Sequence, residues 1–112
     1  MAFVGDATHT LFVRTKLIER NYTVNYLNKV CSKFCSAKYQ AKVVDYILPI
    51  LNEEEADVLR RGRNLDSKTR AKNASVEEYR KATAFEALIG FLYLENNKER
   101  LEQILNMSME EL

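Results

Sequence analysis

The chain has 112 residues, of which 46% are hydrophobic and 29% charged, a composition that fits one globular domain spanning residues 1–112. Its 3 glycines and single proline are too few for the many turns of a small β-sandwich or barrel, so an all-α fold is favoured. The 17 basic and 16 acidic residues leave a formal net charge of +1, which excludes a global basic field, and no apolar run approaches the roughly 20 residues of a membrane span.

The first half of the chain has the periodicity of three helices joined by short connections. Apolar side chains recur at a helical period over residues 3–20, and no capping residue precedes them, so we expect the natural protein to have further chain in front. Thr23 is placed to cap a second helix that ends near residue 34, and residues 37–48 predict a third. The first helix takes its period from Phe3, Ala7, Leu11, Val13, Leu17 and Ile18, and the third turns Tyr39, Val43, Val44 and Ile47 inward.

A fourth helix and one irregular stretch follow in the middle of the chain. Asn52, with Glu55 three residues later, has the spacing of a capping box and predicts a helix start. Gly62 is expected to stop this helix, because glycine is common just past a helix end. Residues 63–74 then form the one long segment without periodicity.

Two helices complete the predicted domain. Ser75 and Glu78 form a second capping box, which predicts a fifth helix running to about residue 95. Asn96 or Asn97 opens a last helix. Its apolar positions are Leu101, Ile104 and Leu105.

The two cysteines, Cys31 and Cys35, are four residues apart in the helical pattern of the second helix. A zinc site would need two further ligands nearby, and the only histidine, His9, is distant in sequence. A disulfide between neighbouring turns of one helix has poor geometry. We therefore expect buried free thiols in a reducing compartment and a cytoplasmic protein without a membrane partner.

Two acidic residues interrupt helix faces that otherwise have the composition of a core. Asp6 shares its face with Phe3, His9 and Val13, and Glu86 shares its face with Ala82, Ile89 and Gly90. An ionised carboxylate is costly to bury unless it is paired, hydrogen-bonded or bound to a metal. Either each acid lies at the margin of its face and reaches water or an arginine, or the two meet across a helix crossing and hold a hard cation such as Mg²⁺.

The segment at residues 60–72 is strongly basic within a nearly neutral chain. Arginine and lysine side chains are suited to phosphate oxygens, and a loop of this kind can reach into a nucleic-acid groove. A solvated loop without a partner is the alternative. If both features are functional, they indicate metal-assisted chemistry on a phosphodiester backbone. The basic side chains are Arg60, Arg61, Arg63, Lys68, Arg70 and Lys72, against the single acid Asp66.

Four strings in this sequence resemble those of ribonuclease III-type nucleases. FVGDATHTLFVR, with Gly5-Asp6-Ala7, resembles the first metal-binding signature of that family, and TAFEALIGFLYL at residues 83–94 resembles the second. SAKYQA at 36–41 and LRRGRN at 59–64 are similar to the short bacterial Mini-ribonuclease III branch, which lacks a separate double-stranded-RNA-binding domain. The resemblance implies an all-α, ribonuclease III endonuclease-domain-like helical bundle.

The resemblance also implies roles for individual residues. Asp6 and Glu86 match the aspartate and glutamate that bind the catalytic Mg²⁺. Larger members of the family carry further acids where this chain has Thr83 and Ala2, so the number of metal ions per site stays open. His9 is expected to be a packing or supporting residue rather than a general base. The residues expected to contact RNA are Arg60, Arg61, Arg63, Asn64, Lys68, Arg70 and Lys72.

The activity that the resemblance implies is Mg²⁺-dependent endonucleolytic cleavage of double-stranded RNA by a homodimer, with the 23S ribosomal RNA precursor as the target. Two other classes of function remain open here: a catalytically silent RNA-binding dimer of the same fold, and a helical protein-interaction module. The apolar content of the second and fifth helices predicts a twofold interface. The side chains expected to contribute to it include Tyr26, Phe34, Phe91 and Tyr93.

Overall fold

The structure, a computed structural model, describes residues 1–64 and 75–110. This part of the chain contains no strand, which confirms the predicted all-α fold, and none of its helices is long and apolar enough to cross a membrane. The elements are α1 (Ala2–Leu17), α2 (Val24–Phe34), α3 (Ala37–Ile47), a 3₁₀ turn (Leu48–Ile50), α4 (Glu53–Arg63), α5 (Val76–Leu94) and α6 (Lys98–Met107).

Side-chain caps fix where most of these helices begin. Thr23 accepts a hydrogen bond from the backbone N–H of Tyr26, and Asn97 caps α6 in the same way. At the start of α4, Asn52 and Glu55 accept from each other's backbone N–H groups, so the predicted capping box is confirmed. The box formed by Ser75 and Glu78 at the start of α5 is confirmed as well.

Helix α5 is the central element, and α1, α3, α4 and α6 all pack against it. Its buried positions include small residues that let the neighbouring helices approach closely, such as Ala82, Ala84, Ala87 and Gly90. The third helix turns its predicted side chains inward, and α6 buries Ile104 and Leu105. The largest side chains buried in this core are Phe34, Phe85, Leu17, Ile47, Leu88, Ile89, Leu92 and Ile104.

The orientation of α1 differs from the prediction. Its apolar side chains Phe3, Leu11 and Ile18 are 91%, 68% and 69% exposed, whereas Gly5 and His9 are buried. The buried face is a row with a spacing of four residues that begins at Gly5 and ends at Leu17, where the helix also ends, earlier than predicted. The reason is that α1 meets α5 through backbone contact at Gly5, so Phe3, Leu11 and Ile18 are left on the outer face.

Gly62 does not stop α4, and that prediction was wrong. The helix continues through Arg63, and Gly62 is buried inside its last turn. A Cβ atom on Gly62 would lie 2.9 Å from the Cβ atom of Ala87 and 3.0 Å from the Cα atom of Ala84. The glycine therefore allows α4 to pack closely on α5, which is a tertiary role rather than a capping one.

A buried ion pair ties α4 to α6. The Nε and Nη2 atoms of Arg100 lie 2.8 and 2.7 Å from the two carboxylate oxygens of Glu55, whose side chain is 2% exposed. The guanidinium also donates to the Ile50 carbonyl oxygen at 2.7 Å. These hydrogen bonds lower the pKa of Glu55, because they favour its charged form.

Candidate functional site

The crossing of α1 and α5 is a backbone contact at two glycines. A Cβ atom added to Gly5 would lie 1.7 Å from the carbonyl oxygen of Glu86, and one added to Gly90 would lie 2.0 Å from the carbonyl oxygen of Met1. Neither position tolerates a side chain unless the helices move apart. The close approach brings Asp6, which follows Gly5 directly, beside Glu86.

The carboxyl groups of Asp6 and Glu86 meet across this crossing. Glu86 is half-buried and hydrogen-bonded to Asp6, and Asp6 is exposed. Burial, together with the hydrogen bond to Asp6 and the negative charge of Asp6, raises the pKa of Glu86 to about 8. At neutral pH the pair of carboxyl groups therefore holds a proton. The sequence left two alternatives for these acids: each at the margin of its helix face, or both together at a helix crossing. The structure places the two carboxyl groups together.

Among the described residues, the metal-ligating groups that form this site are the carboxylate oxygens of Asp6 and Glu86. The described residues contain no group of three or more His, Cys, Asp or Glu side chains placed to hold a metal ion. Thr83, one turn before Glu86, donates its hydroxyl hydrogen to the Tyr79 carbonyl oxygen at 3.0 Å. A donor set of two carboxylates suits Mg²⁺, which retains several of its waters, and does not suit zinc.

His9 lies in the core behind the carboxyl pair. It is 1% exposed, its ring packs edge-on against Phe85 with a centroid separation of 5.0 Å, and its two ring nitrogens contact Gln40 and Ser108. Burial lowers the pKa of His9 to about 4, so the ring is neutral at physiological pH. It faces away from solvent, as expected of a packing residue and not of a general base.

The structure describes three arginines of the basic segment, Arg60, Arg61 and Arg63. They lie on the last turn of α4, not on an extended loop. Arg60 and Arg61 both pair with Asp57, and Arg63 pairs with Glu77 of α5. All of these side chains are exposed, so the pairs are weak and their cations can exchange to another anion. Asn64 is the C-cap residue, and the predicted contacts Lys68, Arg70 and Lys72 lie outside the described residues.

An apolar surface patch adjoins the carboxyl pair, and sequence reasoning found only part of it. Asp6 itself lines a shallow groove there, together with Phe3, Leu11 and Tyr93. The patch, defined by the large exposed side chains that line this groove, consists of Phe3, Leu11 and Tyr93.

The interface residues predicted from sequence do not all lie on the surface. Phe34 is 1% exposed and belongs to the core of the single chain, and Phe91 is half-buried against that core. Tyr26 and Tyr93 are 47% and 55% exposed. The prediction for Phe34 was therefore wrong, because the ring fills the space between α2 and α3 and contacts Tyr39.

Residues 1–97 match the Ribonuclease III domain family. The chain is 48% identical to "Mini-ribonuclease 3" of Thermoanaerobacter sp. strain X514 over 98% of its length and 78% of that protein. It is 45% identical to "Mini-ribonuclease 3" of Staphylococcus aureus, over 95% and 81%. A crystal structure of a Fusobacterium nucleatum protein superposes with a TM-score of 0.88 at 34% identity, over 97% of this chain and 88% of that one.

Proposed function

Because this chain belongs to the ribonuclease III family, in its Mini-ribonuclease 3 branch, and is an endoribonuclease, we propose that it cleaves double-stranded RNA in a Mg²⁺-dependent reaction at Asp6 and Glu86. The observation that carries this proposal is the carboxyl pair at the α1–α5 crossing. Two acids from different helices have no structural reason to meet at a raised pKa, and such groups are common at functional sites.

Mg²⁺ fits the chemistry of this pair. The two side chains supply carboxylate oxygens, and Asp6 is open to solvent. An ion held this way retains most of its waters, as Mg²⁺ does when it binds phosphate substrates. When bound, the cation supplies Lewis-acid activation of the phosphate and of the attacking water.

The protein's own side chains contribute position and charge. Asp6 and Glu86 would hold the cation, and Glu86 would bind it in ionised form, since a positive charge favours the carboxylate. Asp6 and Glu86 project from helices locked at Gly5 and Gly90, so their carboxylates are held before substrate arrives. His9 takes no part in proton transfer, because its ring is buried and both nitrogens are hydrogen-bonded. The products implied by the family are a 5′-phosphate and a 3′-hydroxyl.

The basic segment supplies contacts to the RNA backbone. Gly62 packs against Ala87, the residue after Glu86, so the end of α4 lies against the same part of α5 that carries the acid. Arg61 and Arg63 exchange their weak ion pairs for phosphate oxygens when a duplex binds. The other side chains assigned to this role are Arg60, Asn64, Lys68, Arg70 and Lys72.

The apolar patch is the surface for a second copy of the chain. Phe3 is 91% exposed in the single chain, and such a contiguous apolar surface is typical of an interface. A twofold axis through this patch buries Phe3, Leu11 and Tyr93 of both copies. Because Asp6 borders the patch, such a dimer holds its two carboxyl pairs in a fixed relation, one for each RNA strand.

The substrate is a duplex segment of the 23S ribosomal RNA precursor in the cytoplasm. Duplex RNA exposes phosphates and 2′-hydroxyls across a shallow minor groove, so it is recognised mainly by shape.

A test incubates the protein with a precursor duplex and with the matching single strand, with and without Mg²⁺. We expect cleavage of the duplex only, and only with Mg²⁺. Duplex binding without cleavage would support the silent RNA-binding alternative, and cleavage that is independent of metal would contradict the proposal.

A further inference from the structure

A chain of hydrogen bonds crosses the core behind the carboxyl pair and joins three helices. Gln40 of α3 donates from Nε2 to Nδ1 of His9 at 3.2 Å. The Nε2–H of His9 donates to the Ser108 hydroxyl oxygen, at the end of α6, at 3.5 Å. Ser108 in turn donates to the Leu105 carbonyl oxygen at 2.5 Å. These donor and acceptor roles are mutually consistent and fix one neutral tautomer of the ring.

The buried side-chain polar atoms of this hydrogen-bond network all have partners, although the network lies in the core. Gln40, His9 and Ser108 are 2%, 1% and 0% exposed. Within the described part of the protein, no buried side-chain nitrogen or oxygen atom is without a hydrogen-bond partner. Apolar side chains would fill the same space without a desolvation cost, whereas a satisfied polar network specifies one arrangement of the helices that contribute to it.

The position of His9 relates this network to both carboxylates. On α1, His9 follows Asp6 by three residues and is therefore nearly one helical turn away from it. On the other side, its ring contacts Phe85 at an interplanar angle of 87°, and Phe85 directly precedes Glu86. His9 thus contacts the helix that carries the second carboxylate while belonging to the helix that carries the first.

Backbone contact at Gly5 and Gly90 sets how closely α1 approaches α5, and Val13 and Leu17 anchor the second half of α1 in the core. In the first half, which carries Asp6, the buried residues are Gly5 and His9, so His9 is the buried side chain that can resist a rotation of this half about the helix axis. A rotation of about 10° displaces a side-chain tip at a radius of about 5–6 Å by about 1 Å. A displacement of that size is enough to disturb a metal or catalytic site. Hydrogen bonds from α3 and α6 to His9 hold α1 against such rotation.

We propose that His9, held by Gln40 and Ser108, is a positioning residue that sets the separation of the Asp6 and Glu86 carboxylates for the divalent cation. This inference deepens the proposed function and rests on it. On this proposal, a part of the core that includes the end of α6, far from Asp6 along the chain, affects catalysis.

The experiment uses Gln40→Met and Ser108→Ala, each of which removes one hydrogen bond to His9 with little change in volume. Calorimetric titration of the RNA-free protein measures Mg²⁺ affinity, and kinetics on a duplex give kcat and KM. We expect the Mg²⁺ affinity to fall about tenfold, as for residues that support metal ligands. The kcat value at a fixed, subsaturating Mg²⁺ concentration should fall in parallel, with KM for RNA unchanged.

Asn52→Ala is the matched control, because it removes the α4 capping box, at a helix start that neither carboxylate shares. Asn52→Ala should lower Tm by about as much as Gln40→Met or Ser108→Ala does, and it should leave the Mg²⁺ affinity unchanged. If Gln40→Met and Ser108→Ala also lower only Tm, His9 is structural and the inference is wrong. If the parent protein itself binds no Mg²⁺ and cleaves no duplex, the proposed function fails first, which is a distinguishable result.

Discussion

Glu86 acquires its chemistry from its surroundings. A glutamate on the surface is fully ionised at neutral pH, whereas burial and the adjacent Asp6 raise the pKa of this one to about 8. The pair of acids therefore holds a proton at neutral pH. For His9 the pKa shift has the opposite direction: burial lowers it to about 4, which keeps the ring neutral.

Neutral His9 makes the folded protein sensitive to acid. Its pKa falls from 6.5 to about 4 on folding, so the unfolded chain binds the additional proton as pH drops from about 6.5 towards 4. The stability that neutral His9 contributes is complete above pH 6.5 and is lost through this window. We expect a loss on the order of 3 kcal/mol in the free energy of unfolding between pH 7 and pH 4 from this residue.

Chemical denaturation of the parent and of His9→Gln at a series of pH values measures this effect. The comparison is needed because Glu86 acts in the opposite direction: its raised pKa favours the folded state when pH is low. Subtracting the two profiles cancels Glu86 and isolates His9. A difference that does not change between pH 7 and pH 4 would contradict the account of this residue.

At the level of elements, the residues within one turn determine where a helix starts, but they do not determine which face of the helix is buried. The spacing of Asn52 with Glu55 and of Ser75 with Glu78 predicts two helix starts correctly, since a cap depends only on residues within one turn. The face of α1 depends on what packs against it. Backbone contact at Gly5 selects that face, and a pattern of large apolar side chains cannot show this.

The glycines at the α1–α5 crossing should be intolerant of alanine. In Gly5→Ala, the new Cβ atom must move away from the Glu86 carbonyl oxygen, which separates the two acids and disturbs the helix crossing. We expect a loss of about 1–3 kcal/mol in stability, as for overpacked cores, and loss of Mg²⁺-dependent cleavage. Gly90→Ala should behave similarly. Thermal unfolding and cleavage assays measure both effects.

Gly62→Ala is the control for these variants. Its Cβ atom would lie 2.9 Å from the Cβ atom of Ala87 and 3.0 Å from the Cα atom of Ala84, a milder clash than the 1.7 Å at Gly5. Alanine also gains about 1 kcal/mol in helix propensity over glycine, which offsets part of the strain. Its Tm should therefore fall by less than that of Gly5→Ala. Equal tolerance at Gly5 and Gly62 would mean that the α1–α5 contact is not as close as described.

The end of α4 and the segment after it should govern RNA affinity without governing chemistry. Neutralising Arg61, Arg63 and Lys72 together removes up to three phosphate contacts. The slope of log affinity against log salt should then become shallower by about 2–3, because fewer counterions are released. KM should rise more than kcat falls, since phosphate contacts exist in the ground and transition states alike.

Duplex affinity measured across a salt series tests this prediction. The matched control neutralises three exposed cations elsewhere, Arg20, Lys29 and Lys98, which should leave affinity and slope near those of the parent. An unchanged slope in the Arg61, Arg63 and Lys72 variant would show that the RNA is held by another surface.

For the whole molecule, the sequence indicates the family and the fold but not the assembly surface. The apolar content of the second and fifth helices predicts an interface, yet Phe34 lies in the core and Phe3 lies on the surface. Exposure depends on how all the helices pack, which no single periodicity encodes. The signature strings around Asp6 and Glu86 could be recognised from sequence, because each is a short local motif.

Assembly should depend on the patch that contains Phe3. Phe3→Glu places a charge in the proposed twofold interface without touching the core, since this side chain is 91% exposed. We expect the parent to sediment as a dimer at micromolar concentration and the variant as a monomer with reduced cleavage.

Val24→Glu introduces the same charge at another exposed apolar position, 72% exposed on α2, and should remain dimeric. A monomeric parent with full activity would contradict the dimer.

Asp6 and Glu86 should act as one Mg²⁺-dependent unit, and kinetics of the single and double variants test this most directly. Asp6→Asn, Glu86→Gln and the double variant are compared with the parent for cleavage of a duplex RNA at saturating Mg²⁺. Each single variant should lose at least about 100-fold in kcat, with its helical content retained. The double variant should lose little more than either single, because the residues act together. Cleavage near the parental rate in either single variant, or losses that multiply in the double, would contradict the account.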